Sequence, residues 1–142
     1  MSTVLSPVNA AWLAAVIDCE GSIQIGKKSK VRNQRREYFF CARIEVTNNN
    51  PVILMKCKDV SGLGSVYERV ERRIRNAKPS FVWRVQRQSS VMALLKEVSP
   101  YLIVKRNQAE LMIAFIQLSR RRIPAERLQF YERMQTLNHR GV

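Results

Sequence analysis

The sequence predicts an α+β domain with helices packed on one antiparallel sheet, in the order α-β-β-α-β-β-α-α. Three observations predict it. Apolar and polar residues alternate with period two from Gly21 and again over Tyr38–Thr47, and a second such pair follows at Gly64–Val70 and from Phe81. Helical patterns precede, separate and follow the two pairs, as expected of an α+β layer arrangement. The length of 142 residues, with 46% hydrophobic and 8% aromatic residues, suits a single domain, 1–142, with a substantial core.

Ser6-Pro7 marks a helix start, a capping serine before a proline at the first helical position, where its missing N–H does no harm. That helix runs to about Cys19. After Gly21, Ile23 and Ile25 share one strand face and Gln24 lies on the other, and Lys27 to Arg36 is expected to be a basic loop. In the next strand Phe40, Ala42, Ile44 and Val46 face one way, and Phe39, Cys41, Arg43, Glu45 and Thr47 the other. Asn48-Asn49-Asn50-Pro51 ends the strand and caps a short helix carrying Val52, Leu54 or Met55, and Val60, which Gly62 terminates. The second half repeats the plan. A basic hairpin over Arg72 to Pro79 joins two strands, with Phe81, Trp83 and Val85 inward and Val82, Arg84 and Gln86 outward. Ser89-Ser90 caps a helix with Val91, Leu94, Leu95 and Val98, and helical patterns at about Gln108–Arg120 and Ala125–Leu137 close the chain. Trp12, Trp83, Phe115, Phe130 and Tyr131 fall at core spacing.

The 25 Lys+Arg against 11 Asp+Glu leave a formal net charge of +14. A nucleic-acid backbone is the usual neutralising partner of such a domain, with an acidic membrane surface second. No apolar run approaches the ~20 residues of a membrane span, and the N-terminus lacks a secretory-signal pattern. Cys19, Cys41 and Cys57, odd in number and widely spaced, are expected to be free thiols inside the cell, in an organelle or a prokaryotic cytoplasm. With one histidine, His139, and no CxxC pair, a zinc module has almost nothing to build from. The chemistry that remains belongs to carboxylates, amides and lysine.

The placement of charge says more than its sum. Outward strand positions and hairpin tips collect Gln24, Lys28, Lys30, Arg32, Arg35, Arg36, Arg43, Glu45, Tyr67, Arg69, Arg72, Arg73, Arg75, Lys78, Arg84 and Gln86. Arginine pairs bidentately with guanine and glutamine with adenine in a major groove, while loop cations sit on phosphates. The expected DNA contacts are thus Gln24, Lys28, Lys30, Arg32, Arg35, Arg43, Glu45, Tyr67, Arg69, Arg73, Arg84 and Gln86; a merely solvated face is the alternative. Arg120-Arg121-Arg122 either touches phosphate or solvates a helix end.

The most unusual local feature is the stretch from Leu13 to Gly21, Leu-Ala-Ala-Val-Ile-Asp-Cys-Glu-Gly. It is apolar on nearly every side, as in a helix buried all round. Ala11, Ala15 and Cys19 form a stripe of small side chains at i, i+4 and i+8, which lets two helix backbones approach closely. The matching helix is that of a second copy, so a twofold homodimer is expected, with Ala11, Ala15 and Asp18 at its interface. Asp18 and Glu20 stand at the carboxyl end of the helix, where the macrodipole disfavours acids. Either a cation balances them, a metal or the basic strand face, with oxygen donors selecting a hard ion such as magnesium, or Asp18 caps backbone and Glu20 is simply exposed.

These nine residues resemble the LAGLIDADG motif of the homing endonucleases, departing at Ala15, Val16, Cys19 and Glu20. The predicted element order is also that family's, so the resemblance covers essentially the whole chain. It implies the αββαββαα homing-endonuclease fold with an antiparallel DNA-binding sheet, and a homodimer, since this chain carries one motif. It further implies a sequence-specific endonuclease that makes double-strand breaks at a long pseudo-palindromic target, in intron homing, with Mg2+ or Mn2+. By the same resemblance Glu20 and the backbone carbonyl of Cys19 hold the metal, Asp18 ties helix ends together, and Lys105 and Asn48 complete the catalytic pocket. The family often has a further basic residue where this chain has Asn50-Pro51-Val52. An RNA-binding intron maturase or a non-cleaving DNA-binding regulator would share the fold.

Overall fold

Helix α1 (Pro7–Glu20) begins where the sequence places it, with the Ser6 hydroxyl accepting the Asn9 N–H at 3.2 Å and Pro7 in the first turn. The computed structural model describes residues 5–70, 75–76, 78–118 and 124–139. After α1 the chain forms β1 (Gly21–Arg32), β2 (Arg35–Asn48), α2 (Pro51–Ser61), β3 (Ser65–Arg69), β4 (Ser80–Val85) and α3 (Gln88–Val98). A 3-10 turn at Ser99–Tyr101 leads into α4 (Arg106–Leu118), and α5 (Pro124–Asn138) follows. The predicted α+β order is the observed one. The four strands form one antiparallel sheet in the order β1-β2-β4-β3, so two hairpins meet along β2 and β4.

All the helices pack on one face of this sheet. Ile23, Ile25, Ala42, Ile44, Val46, Trp83 and Val85 are buried there against Leu13, Ala14 and Ile17 of α1, Leu54 and Cys57 of α2, Leu94 and Leu95 of α3, Met112 and Phe115 of α4, and Met134 of α5. Alternation along each strand leaves the opposite face, among the described residues, without a helix over it. Burial pushes the Cys57 thiol up to about 11, against a small opposing backbone hydrogen bond. Among the described residues, no helix is long and apolar enough to cross a membrane.

Several local expectations change. The stretch Lys27 to Arg36 is not a loop but the outer half of a long hairpin, with Lys27↔Phe40 through Arg32↔Arg35 in continuous register. Asn33 and Gln34 turn it with φ of 50° and 63°, the two-residue arrangement that matches strand twist. Charge had hidden the strand, because a hairpin arm standing beyond the core has no face to bury. Lys27 Nζ lies 4.5 Å from the Tyr38 ring centre and 5.7 Å from that of Tyr131, which ties this arm to α5. Val82 faces outward as expected yet is fully buried, because its cross-strand neighbours on that face are Thr47 and Tyr67. In α2 the buried residues are Leu54 and Cys57, while Val52 and Met55 face solvent. Helix α3 starts one residue before Ser89, without a side-chain cap. Helix α1 is not buried all round, since Ala15 and Cys19 are exposed.

Gly64 fixes where the second hairpin begins. Its φ is +77°, and a Cβ there would sit 2.5 Å from the Arg84 carbonyl oxygen, so only glycine fits. The turn lets Trp83 Nε1 donate to the Leu63 carbonyl at 2.9 Å, seating the largest core side chain.

Candidate functional site

The carboxyl end of α1 meets the start of α4. The Asp18 carboxylate accepts three backbone N–H groups, from Ile103 at 2.8 Å, Val104 at 3.2 Å and Lys105 at 3.0 Å. Lys105 Nζ donates in return to the Asp18 carbonyl at 2.8 Å. Each helix end thereby receives what it lacks: an anion and acceptor at the amino end of α4, a cation and donor at the carboxyl end of α1. This exchange accounts for Asp18, which acts as a cap reaching across the fold.

Glu20 has no such explanation. It is exposed, and it has no hydrogen-bond or ion-pair partner among the described residues. Cys19 beside it is exposed too. Gly21 pairs with Val46, and Asn48 lies two residues beyond Val46, so Glu20 and Asn48 share one end of the sheet. The Asn48 Oδ1 atom accepts the Asn50 N–H at 2.8 Å, which opens the turn into α2 and commits the carboxamide oxygen.

On the open face a polar network crosses all four strands. Gln24 Nε2 donates to Ser22 Oγ at 2.8 Å, and Arg43 Nη2 donates to Gln24 Oε1 at 2.7 Å. Glu45, only 8% exposed, lies next along β2 from Arg43. Its Oε1 is 2.6 Å from Arg84 Nη2 and 3.2 Å from Arg43 Nε, and its Oε2 is 3.8 Å from Arg69 Nη2. Oε1 lies off the line of a hydrogen bond to either arginine, so charge rather than a directed bond holds that oxygen between them. The Arg84 guanidinium sits 5.3 Å above the Tyr67 ring, and Arg69 Nη2 is 3.4 Å from the Tyr67 hydroxyl. Lys28, Lys30, Arg32 and Arg35 stand exposed along the first hairpin, with Gln86, Arg75 and Lys78 exposed in the second half.

No protein-family model and no curated protein matches the sequence. Solved structures match over nearly the full chain. The homing endonuclease I-CvuI, in complex with its target, aligns with a TM-score of 0.77 at 23% identity over 96% of this chain and 85% of that one. The group I intron-encoded homing endonuclease I-CeuI, complexed with DNA, gives 0.75 at 15% identity over 100% of this chain and 72% of that one. The LAGLIDADG homing endonuclease I-GzeII, in complex with a DNA target, gives 0.66 at 16% identity over 92% of this chain and 44% of that one. This is the LAGLIDADG homing-endonuclease fold.

Within the LAGLIDADG fold the sequence-predicted residues separate into two places. Cys19 and Glu20 end α1, where Lys105 is bound to Asp18, and Asn48 ends β2 at the same end of the sheet, while Gln24, Arg43, Glu45, Tyr67, Arg69 and Arg84 form the network on the open face. Arg72, Arg73 and Arg120 to Arg122 lie outside the described residues. Of the expected interface residues, Ala15 is exposed, Ala11 is half-buried, and the Asp18 carboxylate is engaged within its own chain. Sequence reasoning missed the amides of Ile103 and Val104 as partners of Asp18, and the joining of three arginines by Glu45. An acid flanked on its own strand by an arginine, in a chain with few acids, was the available clue to the second. An open cleft of about 720 Å³ along β1, lined by Gln24, Lys105, Asn138 and His139, connects the two places.

Among the described residues no three His, Cys, Asp or Glu side chains converge. One unpaired carboxylate at an exposed helix end still suits a hard divalent ion, which is held by one or two carboxylates and takes its remaining oxygens from water and phosphate.

Proposed function

We propose that the chain is a site-specific DNA endonuclease that acts as a homodimer, with Mg2+ or Mn2+, making double-strand breaks at a long pseudo-palindromic target, as in intron homing. The carrying observation is Glu20. It is an exposed acid with no partner among the described residues, two residues beyond Asp18, whose carbonyl holds the Lys105 ammonium, at one end of a sheet whose open face is rich in arginine. The DNA complexes of I-CvuI and I-CeuI, which share the fold, support a duplex partner, and I-CvuI complexes with 2 mM Ca or 2 mM Mg support a divalent ion. The exposed stripe through Ala15 and Cys19 supports pairing of two α1 helices, which would set two Glu20 residues near a twofold axis, one for each DNA strand. The free thiols of Cys19, Cys41 and Cys57 support a reducing, intracellular setting.

Hydrolysis of a phosphodiester needs a water aligned with the leaving 3′ oxygen and cationic charge against the phosphate. Glu20 and the carbonyl of Cys19 would hold a divalent ion, which supplies a more acidic water and stabilises charge at the leaving oxygen. Lys105 uses one of its three N–H groups on the Asp18 carbonyl at 2.8 Å, and the other two can face a phosphate oxygen. Asp18, holding the Lys105 amide at 3.0 Å, keeps that ammonium in place. Asn48, its oxygen committed to Asn50, presents its amide N–H groups to phosphate or water at the same end of the sheet. Sheet arginines position the duplex.

The test is incubation of the chain with a randomised duplex library and Mg2+, followed by sequencing of the ends. Paired double-strand cuts at one family of sequences are expected, and chelation should stop them. Tight DNA binding without cuts would make the chain a regulator, and failure to cut with preferential binding of structured RNA would make it a maturase.

A further inference from the structure

Glu45 is out of place on a face that binds DNA, because a carboxylate there repels every phosphate. We infer that Glu45 is a specificity-determining positioning residue: it withholds Arg43 and Arg84 from phosphates and presents them, already oriented, to base edges. This rests on the DNA-binding reading above.

The geometry carries the argument. An unrestrained arginine on an open sheet can reach either a backbone phosphate or a guanine edge, and the phosphates are the stronger and sequence-independent attractor. Arg43 and Arg84 are not unrestrained. Arg43 is held at two points, Nε 3.2 Å from Glu45 and Nη2 2.7 Å from Gln24. Arg84 is held at Nη2, 2.6 Å from Glu45, with Tyr67 under its plane at 5.3 Å. Both side chains are about three-quarters buried, at 26% and 25% exposure, so the two planes are restrained before DNA arrives. Arg69, at 47% exposure and 3.8 Å from the carboxylate, is the looser third partner.

Two effects follow from one carboxylate. Its negative charge lowers affinity for any duplex, and its grip removes the entropy that an arginine would otherwise lose on forming a bidentate base contact. The first effect weakens non-specific binding; the second strengthens specific binding. Their combination raises the ratio between the two, a form of discrimination built partly on repulsion. The network also joins Gln24 to Arg43 and Tyr67 to Arg84, so bases read by different strands are read by coupled side chains.

The experiment compares wild type, Glu45→Gln and Glu45→Asp in binding two probes: the duplex that wild type selects from a randomised library, and a mixed-sequence duplex of equal length. Binding is measured without divalent ions across a salt series. In Glu45→Gln the mixed duplex should bind more tightly, the salt slope should steepen by about one per protomer as an arginine gains a phosphate, and the preference for the selected duplex should fall about tenfold. Glu45→Asp keeps the charge and shortens the reach, so its slope should stay at the wild-type value while the preference falls. The Arg84→Gln background should remove much of the effect of Glu45→Gln, as expected of a residue acting through another. Unchanged preference in both Glu45 variants would overturn the inference. So would a switch of preference at one base pair with an unchanged salt slope, since Glu45 would then be reading a base itself. If Glu45→Gln loses its far-ultraviolet circular dichroism, Glu45→Asp decides alone. Failure of wild type to bind either duplex would instead remove the DNA-binding reading.

Discussion

Asp18 and Lys105, 87 residues apart in sequence, hold each other in both directions, carboxylate to amides and ammonium to carbonyl. The pair closes the fold where α1 ends and α4 begins, next to Glu20. Asp18→Ala should remove the acceptor of three N–H groups and lower stability by about 1–2 kcal/mol, the range of a lost helix cap. Asp18→Asn should lose less, because an amide oxygen still caps. Urea unfolding followed by circular dichroism checks both, through a shifted midpoint at constant slope. A midpoint unchanged in Asp18→Ala would show that these contacts contribute nothing to the folded state.

Glu20→Gln is expected to behave in the opposite way. Since Glu20 has no partner among the described residues, its replacement should leave the unfolding midpoint within experimental error. Cleavage of the selected duplex in Mg2+ should be abolished, while its affinity changes by less than about threefold, since one exposed charge contributes little to binding in physiological salt. Cutting at the wild-type rate would move the metal-binding role to another residue.

The difference between these two acids also shows what could be read from the chain. Alternation placed the buried faces of β1, β2 and β4 correctly, because those strands lie between helices and solvent and their period is forced by the core. The hairpin arm from Lys27 to Arg36 was not legible as strand, because its residues are held by the register of their partners and by the Lys27 contact to Tyr38, with no core face to impose a pattern. At the candidate site, Glu20, Lys105 and Asn48 were named through the motif and the segments that resemble it. The tie between Asp18 and the amides of Ile103 to Lys105 was not, because a cap from 85 to 87 residues away leaves no local trace. The Glu45 cluster is of the same kind, an outcome of which strands become neighbours.

Base readout and phosphate contact can be separated by comparing Arg84 with Lys28. Arg84→Ala should relax preference at one or two adjacent base pairs, with a loss of about 1–3 kcal/mol on the selected duplex and far less on a mixed one. Lys28, exposed on the hairpin arm, should behave as a phosphate contact. Its alanine variant should weaken all duplexes alike and flatten the salt slope by about one. Equal behaviour of the two variants would mean that the face does not divide its work in this way.

Thiol chemistry tests the packing of α2 independently of DNA. A thiol whose ordinary value is 9.0 and which burial pushes up to about 11 stays neutral until well above pH 9, so Cys57 should resist a thiolate-directed reagent at pH 8. Exposed Cys19 should react first. Raising the pH from 9 toward 11 should destabilise the fold through Cys57, because the unfolded chain ionises this thiol before the folded one does and so gains stability over that interval. Mass spectrometry of the modified peptides, native and in urea, distinguishes the sites. Rapid native labelling of Cys57 would place α2 further from the sheet than the packing described above.

The proposed dimer is tested most directly at Ala15. It is exposed on a helix whose neighbouring residues Leu13, Ala14, Val16 and Ile17 are all buried, so a larger side chain at position 15 meets no steric barrier within one copy. Two α1 helices in close contact would have no room for it. Ala15→Arg should therefore fold, with the circular dichroism spectrum of wild type, and sediment as the 16.5 kDa protomer where wild type at micromolar concentration sediments at twice that mass. Its double-strand cleavage should fall far more than its binding to a half-site duplex, because each protomer supplies one Glu20 and one basic sheet. A wild-type chain that sediments as a protomer and still makes double-strand cuts would separate the cutting activity from the twofold arrangement, and would require one Glu20 to serve both strands in turn.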